Sequence, residues 1–240
     1  MAGAVEKFEE EFIAYVGAQG AVATGFGRSA LFLALEALGV RGGDVLVPDF
    51  VCAQVPEAVR RAGGKPLFYP VRRDLTVNAD DFESCLTAQT RAAIAVHYFG
   101  QLLPGLPRLA AISDQRGVPL VEDGALALGA SLDGGRVGAF GRLSVFSLTK
   151  TDWGYGGGAV TSNSSDMLAR LRTLREEKFC SSRRLSFRYG VLRRADFAAN
   201  RPTLSRIAER AGRWLERVSG PGVGNFYDAG RFDVALPEFA

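Results

Sequence analysis

Apolar residues fall into two patterns along this chain. Short continuous apolar runs bounded by glycine or charged residues are typical of buried strands, whereas apolar positions three and four apart are typical of amphipathic helices. The runs predict strands at residues 21–24, 44–48, 65–71, 92–96, 118–121 and 142–148. The helical spacings predict helices at residues 5–16, 31–38, 53–62, 79–85, 107–116, 166–178 and 203–218.

Polar residues mark the ends of several predicted elements. Asn78 is expected to cap the helix at 79–85, and Asp166 is expected to cap the helix at 166–178. Strands that alternate with helices in this way indicate an α/β protein. At 240 residues, the chain is long enough for one domain with a small appendage.

Candidate chemistry is concentrated in residues 119–160. An apolar run there ends in Glu122 and Asp123, and a later one is followed by Lys150 and a glycine cluster at 154 and 156–158. Strand ends that share an edge of an α/β sheet face one ligand crevice. A lysine amine there can form a Schiff base with pyridoxal phosphate, while a carboxylate holds the proton on the pyridinium nitrogen. The alternative is that both charges are ordinary solvated strand ends.

A second candidate site is the GFGRSA segment, residues 25–30. It follows a predicted strand and leads into a helix, so its backbone N–H groups and the helix dipole favour a phosphate. The segment also fits a G-x-G-x-x-A dinucleotide fingerprint, with Asp44 as the acid for a ribose hydroxyl. That match would indicate a nucleotide-binding oxidoreductase. An ordinary strand-to-helix turn is the third alternative.

Composition limits the remaining classes of function. The net charge of +3 is too small to imply a polyanionic partner, and the arginine-rich segment 167–217 has no nucleic-acid motif beside it. Three widely spaced cysteines indicate reduced thiols, without a disulfide framework or a metal site. The sequence has no signal-peptide pattern and no apolar run of about 18 residues. We therefore expect a cytoplasmic protein that binds neither nucleic acid nor membrane.

The order and spacing of several motifs resemble the DegT/DnrJ/EryC1/StrS family of sugar aminotransferases. The resemblance covers roughly residues 20–180 and includes FGRSALFLALEALGVRGGDVLVPDF, AIAVHYFGQ, PLVEDGALALGA and FSLTK with GGGAV after it. It implies the aspartate aminotransferase-like fold, a three-layer α/β/α large domain with a mostly parallel sheet. On this basis we expect a large domain at 1–180 and a shortened helical segment at 181–240.

The resemblance also implies an activity. Family members use pyridoxal 5'-phosphate to move an amino group from a donor such as glutamate to a keto-sugar carried on a nucleotide, and they work as homodimers. Lys150 matches the Schiff-base lysine and Asp123 matches the acid at the pyridinium nitrogen. Gly27, Arg28 and Ser29 match the loop that holds the cofactor phosphate, and Ser147 matches the serine that donates to it.

Three positions near the implied cofactor are of particular interest. Cys52 stands where the family has an aromatic residue that stacks on the ring, so either Cys52 covers the ring, or Phe50 does, or ring binding is weakened. Leu126 stands where the family has a Gln or His that bonds the cofactor's phenolic oxygen. His97, the single histidine, is either a ring or substrate neighbour or a structural residue.

Length separates this chain from its family. Members are normally more than a hundred residues longer, and their C-terminal part closes on the substrate. A shortened member that serves as a regulatory or non-catalytic partner is therefore an alternative to an aminotransferase.

Overall fold

The computed structural model describes residues 2–132, 135–150, 156–181 and 237–239. The chain divides into two compact units, Met1–Phe179 and Cys180–Ala240. The helices are α1 (Ala2–Val16), α2 (Gly27–Leu38), α3 (Gln54–Arg61), α4 (Ala79–Ser84), α5 (Leu106–Gln115) and α6 (Ser165–Lys178). The strands of the first unit are β1 (Gly20–Thr24), β2 (Asp44–Pro48), β3 (Lys65–Tyr69), β4 (Thr90–Val96), β5 (Leu120–Asp123), β6 (Ser131–Leu132), β7 (Gly135–Arg136), β8 (Leu143–Ser147) and β9 (Gly158–Ser162).

Seven strands form one sheet in the order β1-β9-β8-β5-β4-β2-β3. The pairs β2–β3, β2–β4, β4–β5 and β5–β8 are parallel, and β9 runs antiparallel to both of its neighbours. The sheet is therefore mostly parallel, as predicted. Because β1 and β8 are both antiparallel to β9, six of the seven strands end at the same edge.

Helices cover both faces of this sheet. Every residue of β1, β8 and β9 is buried, which requires a layer on each side. On one face, Phe12 of α1 packs edge-on against Phe146 of β8, with 5.3 Å between ring centroids, inside an apolar cluster that includes Ala21 and Ala159. Helix α2 also packs against β8 and β9, and it contacts α3 and α6. The predicted three-layer α/β/α fold is confirmed.

Local polar contacts explain where two helices begin. Asn78 caps α4 as predicted, since its side-chain oxygen accepts hydrogen bonds from the N–H groups of Asp80 and Asp81. The prediction for α6 was wrong, because the cap is Ser164, whose hydroxyl accepts from the Met167 N–H. Asp166 lies inside the first turn, where its negative charge interacts favourably with the positive end of the helix dipole.

The second unit contributes one short parallel pair, β10 (Cys180–Ser181) with β11 (Pro237–Phe239). The helix predicted at 203–218 lies outside the described residues, as does Gly154. Within the described residues, no helix has both the length and the hydropathy that are needed to cross a bilayer.

Candidate active site

The carboxyl ends of five strands place the candidate residues along one edge of the sheet. Asp123 is the last residue of β5 and Ser147 is the last residue of β8. The register pairs Asp123 with Val96 of β4 on one side and with Val145 of β8 on the other. Residues that follow β1, β2 and β4 reach this same edge, where ligands of α/β proteins bind.

Asp123 is a buried carboxylate whose charge interacts with that of Lys150. Its side chain is only 7% exposed, and its Oδ1 accepts a hydrogen bond from the Ala125 N–H at 3.0 Å. Burial raises the pKa of Asp123, while the Ala125 hydrogen bond and the positive charge of Lys150 lower it by less. Lys150 itself is exposed. The two predicted catalytic residues thus lie within electrostatic reach of each other, one buried at the sheet edge and one open to solvent.

The loop after β1 approaches the end of β8 very closely. A Cβ built on Gly27 would lie 2.6 Å from the Cβ of Ser147, so only glycine fits there. Phe26 forms an isolated bridge with Gly157, which fixes the same loop to the start of β9. The predicted phosphate residues Gly27 and Ser147 are therefore neighbours, although they are far apart in sequence.

Helix α2 begins at this contact without a side-chain cap. Its N-cap residue, Phe26, has no oxygen in its side chain, and no side-chain cap hydrogen bond is made. The Arg28 guanidinium lies 4.6 Å from the centroid of the Phe26 ring, and Ser29 is buried in the first turn. An uncapped helix N-terminus with two serine hydroxyls beside it suits an anion. We call the α2 N-terminus with Ser29 and Ser147 the anion cradle.

The dinucleotide alternative does not fit the sheet. Asp44 is the first residue of β2, and β2 runs parallel to its neighbours. Asp44 therefore lies at the edge opposite to the GFGRSA loop, about 13 Å of strand away from the carboxyl end, at roughly 3.3 Å per residue. An acid there cannot bond the ribose of a nucleotide that is bound at the carboxyl edge.

Aromatic residues border the site on the β2 and β4 side. Phe50 and Cys52 follow β2 and are both exposed, with Phe50 at 52%. The Tyr98 hydroxyl donates to the Phe50 carbonyl at 2.7 Å, and burial together with nearby acids raises the pKa of Tyr98 to about 12. Leu126 is 38% exposed just beyond β5. Phe50 and Cys52 are thus both open to a ligand.

His97 has a structural environment. Its side chain is fully buried; Nε2 lies 2.9 Å from Oε1 of Glu122, and the Leu103 N–H donates to Nδ1 at 2.9 Å. Since Nδ1 accepts a hydrogen bond, it carries no proton, and Nε2 is the donor to Glu122. Both ring nitrogens are occupied within the protein. These contacts favour the structural alternative for His97 over contact with the ring or the substrate.

Sequence reasoning missed the importance of Glu122. The carboxylate is fully buried and receives hydrogen bonds from His97 Nε2 and Gly138 N–H on Oε1, and from Phe140 N–H, Gly141 N–H and Ser144 Oγ on Oε2. Burial raises the pKa of Glu122, but the hydrogen bonds from His97 and the backbone outweigh it, and the net pKa is lowered. One sequence feature could have indicated this role. Glu122 is an acid within the apolar run that forms β5, and glycines whose N–H groups bond to it follow about 16 to 19 residues later.

Taken together, the side chains at this edge offer a complementary set of groups. Lys150 supplies an amine, Asp123 supplies a buried carboxylate, and the anion cradle supplies hydroxyl and N–H donors. This set matches the aldehyde, the ring nitrogen and the phosphate of pyridoxal phosphate. The close approach of Gly27 to Ser147 forms one wall of the cradle that any larger residue would disturb.

Comparison with known proteins agrees with this fold. Residues 2–189 match the model of the DegT/DnrJ/EryC1/StrS aminotransferase family. The chain is 37% identical over 176 residues to dTDP-3-amino-3,4,6-trideoxy-alpha-D-glucose transaminase of Micromonospora megalomicea subsp. nigra, covering 71% of this chain and 47% of the relative. It is 32% identical over 184 residues to GDP-perosamine synthase of Vibrio cholerae, covering 75% of this chain and 50% of the relative.

A solved structure of another protein has a similar fold. The crystal structure of S. venezuelae DesV in complex with a ketimine intermediate superposes with a TM-score of 0.67 at 34% identity, covering 71% of this chain and 47% of that one. This chain spans about half the length of the relatives that it matches.

Proposed function

The chain belongs to the DegT/DnrJ/EryC1/StrS aminotransferase family, and we propose that it binds pyridoxal 5'-phosphate and transfers an amino group to a keto-sugar carried on a nucleotide. The observation that carries the proposal is that buried Asp123 ends β5 at the same edge of the sheet at which β8 leads to Lys150, whose positive charge offsets part of the rise in the pKa of Asp123 that burial causes. The anion cradle lies at the same edge of the sheet. Each of these features alone would suit many ligands, but together they suit this cofactor.

Each candidate residue of the site would have its own role toward the cofactor. When bound, pyridoxal phosphate supplies an electron sink for negative charge at the carbon that carries the amino group. The Asp123 carboxylate would hold the proton on the ring nitrogen. Lys150 Nζ would replace the oxygen of the cofactor aldehyde, which would leave as water. Once displaced by the amine of the donor, Lys150 would carry a proton between cofactor and substrate carbons. Ser29, Ser147 and the N–H groups after Gly27 would hold the phosphate.

The substrate class rests on the relatives. The Micromonospora relative is named as a transaminase of a dTDP-linked amino sugar, and the Vibrio relative as a GDP-linked sugar synthase. We propose a nucleotide-linked keto-sugar for this chain and an amino-acid donor such as glutamate. A cytoplasmic homodimer remains part of this proposal.

The test is reduction of the cofactor adduct followed by peptide mapping. Addition of pyridoxal phosphate is expected to give a visible absorption band, and borohydride should then attach the cofactor to Lys150 permanently. Lys150→Ala removes the target. Lys65→Ala is the matched control, because Lys65 begins β3 at the opposite edge of the sheet. A label that is scattered over other lysines, or that survives in Lys150→Ala, would overturn the assignment.

A non-catalytic family member is the second candidate, and Leu126 favours it. This partly exposed aliphatic side chain cannot hydrogen-bond a cofactor oxygen. That candidate predicts cofactor binding without amino transfer to any nucleotide-linked keto-sugar. The oxidoreductase alternative predicts NAD(H) binding that persists in Lys150→Ala. Cofactor labelling, an assay of amino transfer by the wild type, and NAD(H) binding by Lys150→Ala therefore separate the three candidates.

A further inference from the structure

One buried carboxylate bonds to groups on or beside three strands that lead to the site, and on β8 it contacts the start of the strand. Glu122 and Ser144 are register partners on β5 and β8, and the Ser144 hydroxyl donates to Glu122 at 3.4 Å. The turn before β8 donates three N–H groups to the same carboxylate, at 2.6, 3.0 and 3.1 Å. His97, directly after β4, contacts it from the other side. Glu122 thus bonds to the strands on both sides of β5.

The packing around this carboxylate allows little displacement. A Cβ built on Gly141 would lie 2.9 Å from the Cβ of Glu122, so the turn lies directly against it. His97 adds a second restraint, because its backbone N–H donates to the Asp123 carbonyl at 3.0 Å while Leu103 fixes the ring from the far side. The strand end that carries Asp123 is therefore held by both the ring and the backbone of His97.

Neighbouring residues on a strand point to opposite faces of a sheet. Glu122 and Asp123 are adjacent, so the hydrogen-bonded network lies on one face and the side chain of Asp123 is directed to the other. A displacement of Glu122 by loss of its partners would turn the end of β5 and move the Asp123 carboxylate with it. The same displacement would act on β8, which leads to Ser147 and Lys150.

We propose that Glu122 and His97 form a positioning pair that sets where Asp123 and the end of β8 stand relative to the cofactor. Neither side chain touches the cofactor or the substrate in this role. The inference rests on the proposed function, since the groups that it positions are those assigned to pyridoxal phosphate. Within that function it assigns a purpose to the one histidine of the chain and to the acid beside Asp123.

Two replacements of His97 separate its two hydrogen bonds. In His97→Gln, the side-chain amide can reproduce the Nε2 donor to Glu122, while the contact with Leu103 is lost. In His97→Asn, the shorter side chain can reproduce the Nδ1 acceptor for Leu103, while the contact with Glu122 is lost. A third variant, Glu122→Gln, keeps the shape but turns an NH2 group towards backbone donors, leaving at least one of them unpaired.

The measurements are the dissociation constant for pyridoxal phosphate, the wavelength of its bound absorption band, and the thermal midpoint of the cofactor-free protein. We expect His97→Gln to stay close to wild type in affinity and band position. His97→Asn and Glu122→Gln should bind about tenfold more weakly or worse, with a displaced band, because both disturb the hydrogen bonds at the Glu122 carboxylate that hold the end of β5. Tyr69→Phe is the stability control, since it loses a buried hydrogen bond to the Ile94 carbonyl in the same sheet.

A nitrogen NMR measurement on the cofactor-free protein tests the pair independently. With a single histidine in the chain, its two ring nitrogens can be assigned without ambiguity. We expect Nδ1 to be unprotonated and Nε2 to be protonated, and Glu122→Gln to shift the Nε2 resonance more than Tyr69→Phe does. The opposite tautomer would overturn the proposal even if a variant failed to fold.

The outcomes distinguish this inference from the proposed function. If wild type binds no pyridoxal phosphate, the proposed function fails and this inference falls with it. If wild type binds but His97→Gln and His97→Asn lose affinity equally, in step with thermal stability, the pair is only structural and this inference alone is overturned.

Discussion

Gly27 and Ser147 are 120 positions apart in the sequence, yet a Cβ on Gly27 would lie 2.6 Å from the Cβ of Ser147. The contact joins the loop after β1 to the end of β8. Since β9 separates these two strands in the sheet, the loop must cross over the start of β9, and Gly158 allows it to do so. There a Cβ would lie 2.5 Å from the carbonyl carbon of Phe26. The anion cradle therefore requires glycine at positions 27 and 158, because the loop after β1, the end of β8 and the start of β9 meet there.

Gly27→Ala should disrupt this cradle. The added methyl group has backbone and side-chain atoms of Ser147 in its way, so the α2 N-terminus must move. We expect affinity for pyridoxal phosphate to fall about tenfold or more, in line with a cost of about 1–3 kcal/mol for overpacking. Gly3→Ala is the matched control, because a Cβ there meets nothing within 4 Å. Equal affinities in the two variants would count against the cradle as the phosphate site.

Asp123→Asn should change stability and amino transfer in opposite directions. Because burial raises the folded pKa of Asp123 above 3.8, its carboxyl ionises first in the unfolded chain as pH rises. Stability is therefore lost as pH rises above that value, and a neutral Asn avoids the loss. The Asn side-chain oxygen can still accept the Ala125 N–H.

We expect cofactor-free Asp123→Asn to unfold at a higher temperature than wild type at neutral pH and at a similar temperature below pH 3.8. Its amino transfer should nevertheless be lost, because the amide does not hold the ring-nitrogen proton as a carboxylate does. Calorimetry across pH and a transamination assay check the two parts. A variant that is less stable than wild type at neutral pH would contradict the buried, costly charge.

Glu122 should show the opposite pH dependence. Its folded pKa lies below 4.5, so the stability that it contributes is fully present above that pH and is lost as pH falls below it. Glu122→Gln should lower the urea midpoint at neutral pH and flatten its decline in acid. Tyr69→Phe, which removes no charge in this range, should lower the midpoint by a similar amount at every pH. Parallel acid profiles for wild type and Glu122→Gln would refute this account.

Glu9 should contribute more to the free energy of unfolding than its position on an outer helix implies. Its Oε1 accepts from the Ala23 N–H of edge strand β1 at 2.7 Å and from Arg175 of α6 at 2.6 Å. Glu9→Gln should cost about 1–3 kcal/mol in the free energy of unfolding, because a charged acceptor of two donors is lost. Glu11→Gln on the same helix breaks only an exposed pair with Lys7 and should cost under about 0.5 kcal/mol. Urea titration measures both, and similar losses would contradict the difference in burial.

The sequence alone determined the local elements of this protein and indicated its candidate reactive groups. The bounds of β2 and the cap at Asn78 follow from neighbouring residues, because apolar runs and capping oxygens act within a few positions. Family motifs likewise indicated Asp123 and Lys150.

Only the tertiary structure decided what depends on distant contacts. The direction of β2 places Asp44 at the wrong edge for a dinucleotide, and a buried hydrogen bond joins His97 to Glu122. The loop that crosses β9 brings Gly27 against Ser147. A strand's sequence records how buried it is, but not which strand lies beside it or which side chain meets it from another element. Those neighbours set hydrogen bonding and charge, and hence what each reactive group can do.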